Sequence, residues 1–168
     1  MINVVLYQPE IPQNTGNIMR TCVATNTKLH LIEPFGFSLD EKRLKRSGMD
    51  YIDKLNYVVY PNFEEFISKN QGYYLFITRY GSKPPTSFNL KLDQDIYLIF
   101  GRESTGIPKE ILSKYPNNLT RLPMVEDARS LNLSNCVAIL VYEALRQNDY
   151  QSLSLQEVIK GSNYLFEE

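Results

Sequence analysis

The sequence has few of the residues from which metal centres and disulfide frameworks are built. Among its 168 residues it holds two cysteines, Cys22 and Cys136, and a single histidine, His30. Two cysteines cannot form a disulfide framework or a four-cysteine zinc site. One histidine disfavours a histidine-based metal cluster and a serine–histidine triad. We therefore expect a protein of the reducing cytoplasm that holds no metal.

Long apolar runs and a charge excess are also missing. No stretch approaches the roughly 20 apolar residues that span a bilayer, so we expect no membrane partner. The N-terminus carries no basic leader before an apolar run, and residues 3–7 instead predict an immediate strand. Eighteen Lys and Arg against 19 Asp and Glu give a net charge of -1. This balance excludes a polycationic coat protein but not RNA binding, because a sum hides how charge is distributed.

The remaining composition is that of a globular chain, with 43% hydrophobic and 22% charged residues. Short apolar runs bounded by Gly, Pro, Asn or Asp predict strands. They lie at 3–7, 28–32, 73–78, 95–100 and 120–122. Helical patterns between them predict helices at 17–25, 63–69, 109–115 and 133–147. The alternation predicts an α/β fold with a mostly parallel sheet covered by helices on both faces. We expect one domain over residues 1–155 and a C-terminal tail of uncertain order over 156–168.

Three polar, turn-rich stretches follow predicted strands, where open α/β sheets bind their ligands. The first runs from Asn14 through Gly16 to Arg20. Its structural explanation is a helix cap at Asn14 or Thr15 followed by a surface arginine. Its functional explanation is a ligand loop, in which Gly16 lets the backbone come close to another group.

The second stretch, residues 100–108, places Glu103 between Gly101 and Gly106. Two glycines five apart suggest a phosphate loop, but the Lys and Ser or Thr of a P-loop are missing, as is a Gly-x-Gly-x-x-Gly pattern. A turn into a helix begun by Pro108 is the structural alternative. That alternative leaves an acidic residue just beyond an apolar strand unexplained.

The third stretch, residues 121–135, leads into the longest predicted helix and contains Ser130, Asn132, Ser134 and Asn135. One of these four side chains suffices to cap the helix, so capping and a small-molecule site both remain open. A separate basic cluster contains Lys42, Arg43, Lys45 and Arg46. It fits a solvated helix face as well as a phosphate-contacting patch.

Taken in order, these motifs resemble those of the SpoU-type SPOUT RNA 2′-O-methyltransferases. The pattern is Asn14-Thr15-Gly16-Asn17-x-x-Arg20, then Phe100-Gly101-x-Glu103-x-x-Gly106, then Leu122-Pro123-Met124 through Ser130-Leu131-Asn132-Leu133-Ser134-Asn135. Residues 6–17, together with Ile32-Glu33-Pro34-x-Gly36-Phe37, the basic cluster and Gly48-x-Asp50-Tyr51, are similar to the short subfamily that methylates the tRNA wobble nucleotide. The match covers roughly residues 1–147.

The resemblance implies a deep trefoil knot near the C-terminus, which general topology rules would not suggest. It implies S-adenosyl-L-methionine as the methyl donor, S-adenosyl-L-homocysteine as the product, and the tRNA anticodon stem-loop as the substrate. It also implies a homodimer, with residues 133–147 as part of the interface. The implied cofactor-binding residues are Thr78, Gly101, Leu122, Met124, Ser130 and Leu133.

The resemblance also implies roles for the motif residues. The family assigns Arg20 as general base, but a protonated guanidinium has no acceptor. We favour a role in which Arg20 holds a phosphate or ribose oxygen and stabilises the forming alkoxide. Asn14 would orient the ribose or Arg20, Glu103 would position Arg20 or a substrate hydroxyl, and Ser130 and Asn132 would shape the cofactor and ribose side of the site. The basic cluster at 42–46 would track RNA phosphates.

Three other functions compete with this hypothesis. The first is a catalytically silent RNA-binding relative, which the presence of Arg20, Glu103, Ser130 and Asn132 disfavours. The second is a different nucleotide-dependent α/β enzyme, which the missing phosphate-loop and dinucleotide motifs disfavour. The third is a SPOUT methyltransferase of ribosomal RNA, which the short chain and its opening motif disfavour.

Overall fold

The computed structural model describes residues 1–39, 52–91, 93–161 and 163–166, and its centre is one parallel sheet. The six strands are ordered β3-β2-β1-β5-β4-β6, and every neighbouring pair is parallel. They are β1 Ile2–Tyr7, β2 Lys28–Ile32, β3 Tyr57–Tyr60, β4 Tyr73–Ile77, β5 Ile96–Phe100 and β6 Leu119–Thr120. The reversal of strand order between β1 and β5 places a topological switch at the centre of the sheet, where ligands of such folds bind.

Three of the described helices lie between consecutive strands, and the longest follows the last strand. The helices are α1 Pro12–Ala24, α2 Phe63–Lys69, α3 Lys109–Leu112 and α4 Leu133–Gln147. Short 3-10 turns lie at Ile52–Lys54, Pro85–Ser87 and Tyr164–Phe166. Within the described ranges, no helix is long and apolar enough to cross a membrane.

Each face of the sheet has its own hydrophobic core. Along β1, Val4 and Leu6 join one cluster and Val5 joins the other, as the two-residue period of a strand requires. The first cluster includes residues of α1 and α4, and the second includes residues of α2 and α3. The predicted class, a mostly parallel sheet with helices on both faces, is confirmed.

Two predictions about local structure were wrong. The strand β3 lies where no strand was expected. Helix α1 begins at Pro12 and not at residue 17, because the fixed backbone of proline suits the first turn of a helix. As a result Asn14 and Thr15 do not cap the helix but lie buried inside it. The residue at the cap position is Ile11, whose side chain makes no capping hydrogen bond.

The C-terminal end of α4 is tied to the segment that precedes β5. Gln147 accepts from the backbone N–H of Leu90 at 2.8 Å and donates to the carbonyl of Phe88 at 3.1 Å. Asn148 donates to the carbonyl of Leu90 at 2.8 Å. These contacts fix the end of α4 to the connection between β4 and β5. The trefoil knot stays a prediction, and the basic cluster at 42–46 and the motif at 48–51 lie outside the described residues.

Candidate cofactor cleft and adjoining arginine cavity

A cleft of about 710 Å³ opens at the carboxyl ends of β4, β5 and β6. Its walls are the segments that follow these strands and the N-terminal turn of α4. All six residues expected to bind the cofactor line it: Thr78, Gly101, Leu122, Met124, Ser130 and Leu133. A volume between about 300 and 1,000 Å³ is typical of sites for cofactor-sized molecules. The structure thus brings together residues that are up to 55 positions apart in the chain (78 to 133).

Asn14 connects the three motifs at one edge of this cleft. Its Nδ2 donates to Oε1 of Glu103 at 3.1 Å, and its Oδ1 accepts from Nδ2 of Asn132 at 2.9 Å. Asn132 in turn caps α4, since its Oδ1 accepts from the backbone N–H of Ser134 at 2.9 Å and from that of Asn135 at 3.4 Å. One continuous chain of hydrogen bonds therefore runs from the loop after β5, through α1, to the start of α4.

Glu103 supplies the acceptor that the start of α1 lacks. Its carboxylate accepts from the backbone N–H of Glu10 at 2.9 Å and from that of Ile11 at 3.2 Å, in addition to Asn14. Free N–H groups at a helix N-terminus favour a negative charge nearby. All of these bonds go to the β1–α1 segment, so the geometry makes Glu103 a residue that positions Asn14.

Glu10 and Ser104 form a second contact between the β1–α1 segment and the loop after β5. The sequence analysis assigned no role to either residue. The carboxylate of Glu10 accepts from the backbone N–H of Ser104 at 2.9 Å and from its hydroxyl at 2.8 Å. These two hydrogen bonds lower the pKa of Glu10, and Arg102 contributes to the same effect. The sequence could have indicated a role for Glu10, because it follows the end of β1 in the same way that Glu103 follows the end of β5.

Gly101 allows the loop after β5 to fold back on itself. A Cβ at this position would lie 2.3 Å from the carbonyl carbon of Gly106 and 2.4 Å from the nitrogen of Ile107. Arg102 and Gly106 also exchange two backbone hydrogen bonds, at 3.2 and 2.9 Å. The close packing of two backbones excludes any side chain at Gly101 and shapes the floor of the cleft.

Arg20 does not line the cleft that contains the other predicted catalytic residues. It lines a second cavity of about 340 Å³ between α1 and α4, together with Asn17, Ser134, Asn135 and Tyr142. The first turn of α4 separates the two cavities, since Leu133 faces one and Ser134 the other. Asn17, Ser134 and Asn135 are therefore neighbours of Arg20.

The cleft is rich in positive charge. Arg79, Arg102, Arg121 and Arg129 line it, and Glu103 is the acidic residue among its lining residues. Cys136 also lines it, and burial raises the pKa of that thiol. No group of three or more His, Cys, Asp or Glu residues suited to a metal occurs in the part of the chain that the structure describes.

The parallel sheet, the cleft at its carboxyl edge and the three linked motifs define a SPOUT-type methyltransferase domain. A family model described as "SpoU rRNA Methylase family" matches residues 1–142. The chain belongs to the SpoU methylase family.

Named relatives share most of their length with this chain. It is 55% identical over 90% of its length, and 96% of the other protein, to a Bacillus subtilis protein named "Putative tRNA (cytidine(34)-2'-O)-methyltransferase". It is 46% identical over 89% of its length, and 97% of the other protein, to the tRNA (cytidine(34)-2'-O)-methyltransferase of Methylovorus glucosotrophus. A solved structure described as "Structural insights into the 2-OH methylation of C/U34 on tRNA" matches with a TM-score of 0.81 at 38% identity, covering 89% of this chain and 97% of that one.

Proposed function

We propose that this protein transfers a methyl group from S-adenosyl-L-methionine to the ribose 2′-hydroxyl of nucleotide 34, a cytidine or uridine, in the anticodon loop of tRNA. One observation carries the proposal: the six residues assigned to the cofactor line a single cleft beside the Glu103–Asn14–Asn132 chain. The relatives named above support the substrate, since their names specify tRNA and position 34.

The cleft suits the proposed cofactor in size and chemistry. Half-buried Leu122 and Leu133 offer apolar surface for an adenine ring, and the backbone beside Gly101 comes close because no side chain intervenes. Ser130 and Thr78 add hydroxyl groups at the same cleft. The cofactor supplies an activated methyl group, because its leaving group is a neutral thioether.

The protein must then align the ribose 2′-hydroxyl with the methyl group and assist the loss of the hydroxyl proton. Alignment of two reacting groups can contribute roughly 7–11 kcal/mol in ideal geometry. Asn14 has both of its amide atoms engaged and Glu103 is fixed by three donors, so the edge of the cleft is preorganised. Arg20, on the other side of the first turn of α4, holds a phosphate or ribose oxygen of the substrate and stabilises the alkoxide as it forms. The hydroxyl proton leaves to a phosphate oxygen of the RNA or to water, because the protonated guanidinium cannot accept it.

The functional unit we propose is a homodimer paired through the exposed face of α4. Ile139 and Tyr142, three residues apart on this helix, are 45% and 49% exposed, and neighbouring exposed apolar side chains are typical of protein–protein contacts. Tyr142 lines the Arg20 cavity. Pairing through this face would place Arg20 beside the subunit interface and enclose the site.

The test is methyl transfer to an anticodon stem-loop RNA. Purified protein is incubated with radiolabelled S-adenosyl-L-methionine and either total tRNA or a synthetic anticodon stem-loop, and the labelled nucleoside is identified by digestion and mapping. The expected product is a 2′-O-methylated nucleotide 34. The matched control is a stem-loop with a 2′-deoxy sugar at position 34, which has no hydroxyl to accept the methyl group. Label on a base, label in the deoxy control, or no label in tRNA would overturn the proposal.

A further inference from the structure

One wall of the cleft ends in an exposed aromatic residue. Tyr80 lies three positions beyond the end of β4, lines the cleft and is 72% exposed. It belongs to neither hydrophobic core cluster. The guanidinium of Arg79 lies 5.9 Å from the centroid of its ring. An exposed ring next to a cleft is placed to contact whatever enters that cleft.

The turn that carries Tyr80 is held firmly. The backbone N–H of Tyr80 donates to Oγ1 of Thr78 at 3.3 Å, and the backbone N–H of Gly81 donates to the carbonyl of Thr78 at 3.2 Å. Thr78 itself donates to the carbonyl of Thr120 at 2.9 Å. A Cβ on Gly81 would lie 2.4 Å from the carbonyl carbon of Thr120, so the two backbones are in direct contact. The ring is therefore presented from an ordered backbone, which lowers the entropy cost of binding through it.

Three cationic residues, Arg79, Lys83 and Arg121, lie on the two adjoining backbone segments next to this turn. Arg121 donates from its backbone to the carbonyl of Lys83 at 3.0 Å and from Nη1 to the carbonyl of Arg79 at 3.5 Å. The segments that supply this part of the cleft lining, residues 73–91 and 111–125, contain no Asp or Glu. The charged residues of these two segments are thus all positive, in a chain whose net charge is -1.

We propose that Arg79, Tyr80, Lys83 and Arg121 form an RNA-binding surface, here called the Tyr80 rim. A nucleobase next to the methylated nucleotide stacks on Tyr80, and the three cations contact the neighbouring phosphates. Single-stranded RNA loops are bound in this way, by aromatic stacking together with basic side chains. Every base has a flat face, so Tyr80 contributes affinity for the loop with little preference for base identity. The inference rests on the proposed RNA substrate but requires no methyl transfer.

The test compares four proteins for binding to an anticodon stem-loop with 2-aminopurine at each neighbour of nucleotide 34 in turn. Tyr80→Ala is expected to weaken RNA binding roughly 5- to 100-fold, as for loss of one stacked base. It should also abolish the fluorescence quenching of one of the two probes. Tyr80→Phe, which keeps the ring, should retain both properties. Tyr164→Ala is the matched control, because Tyr164 is also exposed and next to a cation, Lys160, but does not line the cleft.

Affinity for S-adenosyl-L-homocysteine, measured by calorimetry, separates this role from cofactor binding and should be unchanged in Tyr80→Ala. Wild-type RNA affinity in Tyr80→Ala, or a loss of cofactor affinity as large as the loss of RNA affinity, would overturn the inference. If the wild type binds the stem-loop without methylating it, the proposed activity fails while the Tyr80 rim is still judged by binding. If the wild type binds no RNA, both fail.

Discussion

Nδ2 of Asn14 donates to Oε1 of Glu103 at 3.1 Å, which joins helix α1 to the loop after β5 by a side-chain hydrogen bond. The direction of this bond matters, because the carboxylate also accepts from two backbone N–H groups and has no proton to offer. The atom of residue 14 that faces Glu103 must therefore be a donor, while its other amide atom accepts from Asn132. The relationship explains why an asparagine, and not an aspartate, occupies this buried site near a helix N-terminus.

Asn14→Asp should therefore lower the free energy of unfolding by about 1–3 kcal/mol, because it sets two carboxylates against each other and removes a donor. Chemical denaturation measures the change. Gln13→Asp is the matched control, since it adds the same charge one residue earlier on the exposed surface, where the helix N-terminus favours it. In the double variant Asn14→Asp, Glu103→Gln, the amide nitrogen of residue 103 donates to the carboxylate at position 14 in place of the original bond, so stability should recover in part. Recovery is incomplete because that nitrogen cannot accept from the backbone N–H of Ile11. Equal losses in the two single variants, or no recovery, would contradict this explanation.

Gly101 and Gly106 differ in why they are glycines, and substitution should reveal it. Gly101→Ala drives a Cβ into backbone atoms at 2.3 Å and should cost roughly 3 kcal/mol of stability together with cofactor affinity. Gly106→Ala meets no atom within 4 Å but has a φ of +73°, which costs an alanine about 1 kcal/mol. Thermal unfolding ranks the two variants. An equal or smaller cost at Gly101 would show that the loop can move apart.

The central strands of the sheet could be predicted from the sequence, because their burial requires runs of apolar residues. The strands β1, β2, β4 and β5 consist mainly of apolar residues, and each of their predicted ends agrees with the structure within one residue. The strand β3, Tyr57–Tyr60, was missed although its aromatic and β-branched residues lie between Asn56 and Pro61. The strand β3 is short and lies at the edge of the sheet, where Val59 is 38% exposed. Its apolar run is therefore shorter than those of the central strands and predicts a strand less clearly.

The candidate site was predictable as a set of residues but not as an arrangement. The cofactor residues meet because they follow parallel strands that end at one edge. Arg20 was expected beside Asn14, yet six residues along a helix correspond to about 600°, which places the two side chains on different faces. Arg20 accordingly lies in the adjoining cavity. No spacing rule could reveal that Asn14 bridges Glu103 and Asn132, because this depends on contacts between residues 89 and 118 positions apart.

The buried histidine should make the protein less stable in mild acid. His30 is fully buried between Asn3 and Tyr60, at 3.1 and 3.0 Å, and burial, reinforced by Lys28, lowers its pKa to about 4. The unfolded chain has the ordinary value of about 6.5 and so takes up a proton first as the pH falls. Stability present above pH 6.5 is therefore lost toward pH 4, by roughly 3 kcal/mol.

The measurement is the free energy of unfolding from pH 7 down to pH 4 for the wild type and for His30→Gln. The variant has no imidazole to protonate, so its stability should depend less on pH over this range, whatever its absolute stability. Carboxylates contribute equally to both proteins and cancel in the difference. Parallel curves for the two proteins would show that His30 does not cause the acid sensitivity.

Arg20→Lys should separate catalysis from cofactor binding. We expect kcat to fall roughly 100-fold, as when a donor to a developing oxyanion is removed, because lysine lacks the two-pronged guanidinium. The affinity for S-adenosyl-L-homocysteine should not change, since Arg20 does not line the cofactor cleft. Kinetics and calorimetry give the two values. Near-wild-type turnover with an unchanged pH–rate profile would rule out a role that needs the guanidinium fork.

Neutralising Lys42, Arg43, Lys45 and Arg46 to glutamine should weaken binding of the anticodon stem-loop and flatten its dependence on salt. Each lost phosphate contact reduces the slope of log affinity against log salt by about 1. Cofactor affinity should stay the same. The control variant, Lys109→Gln with Lys114→Gln, removes exposed charges from α3 and the turn after it and should leave the slope unaltered. Equal slopes for the cluster variant and the wild type would mean that the basic cluster is a solvated surface and that other residues, the Tyr80 rim among them, carry the phosphate contacts.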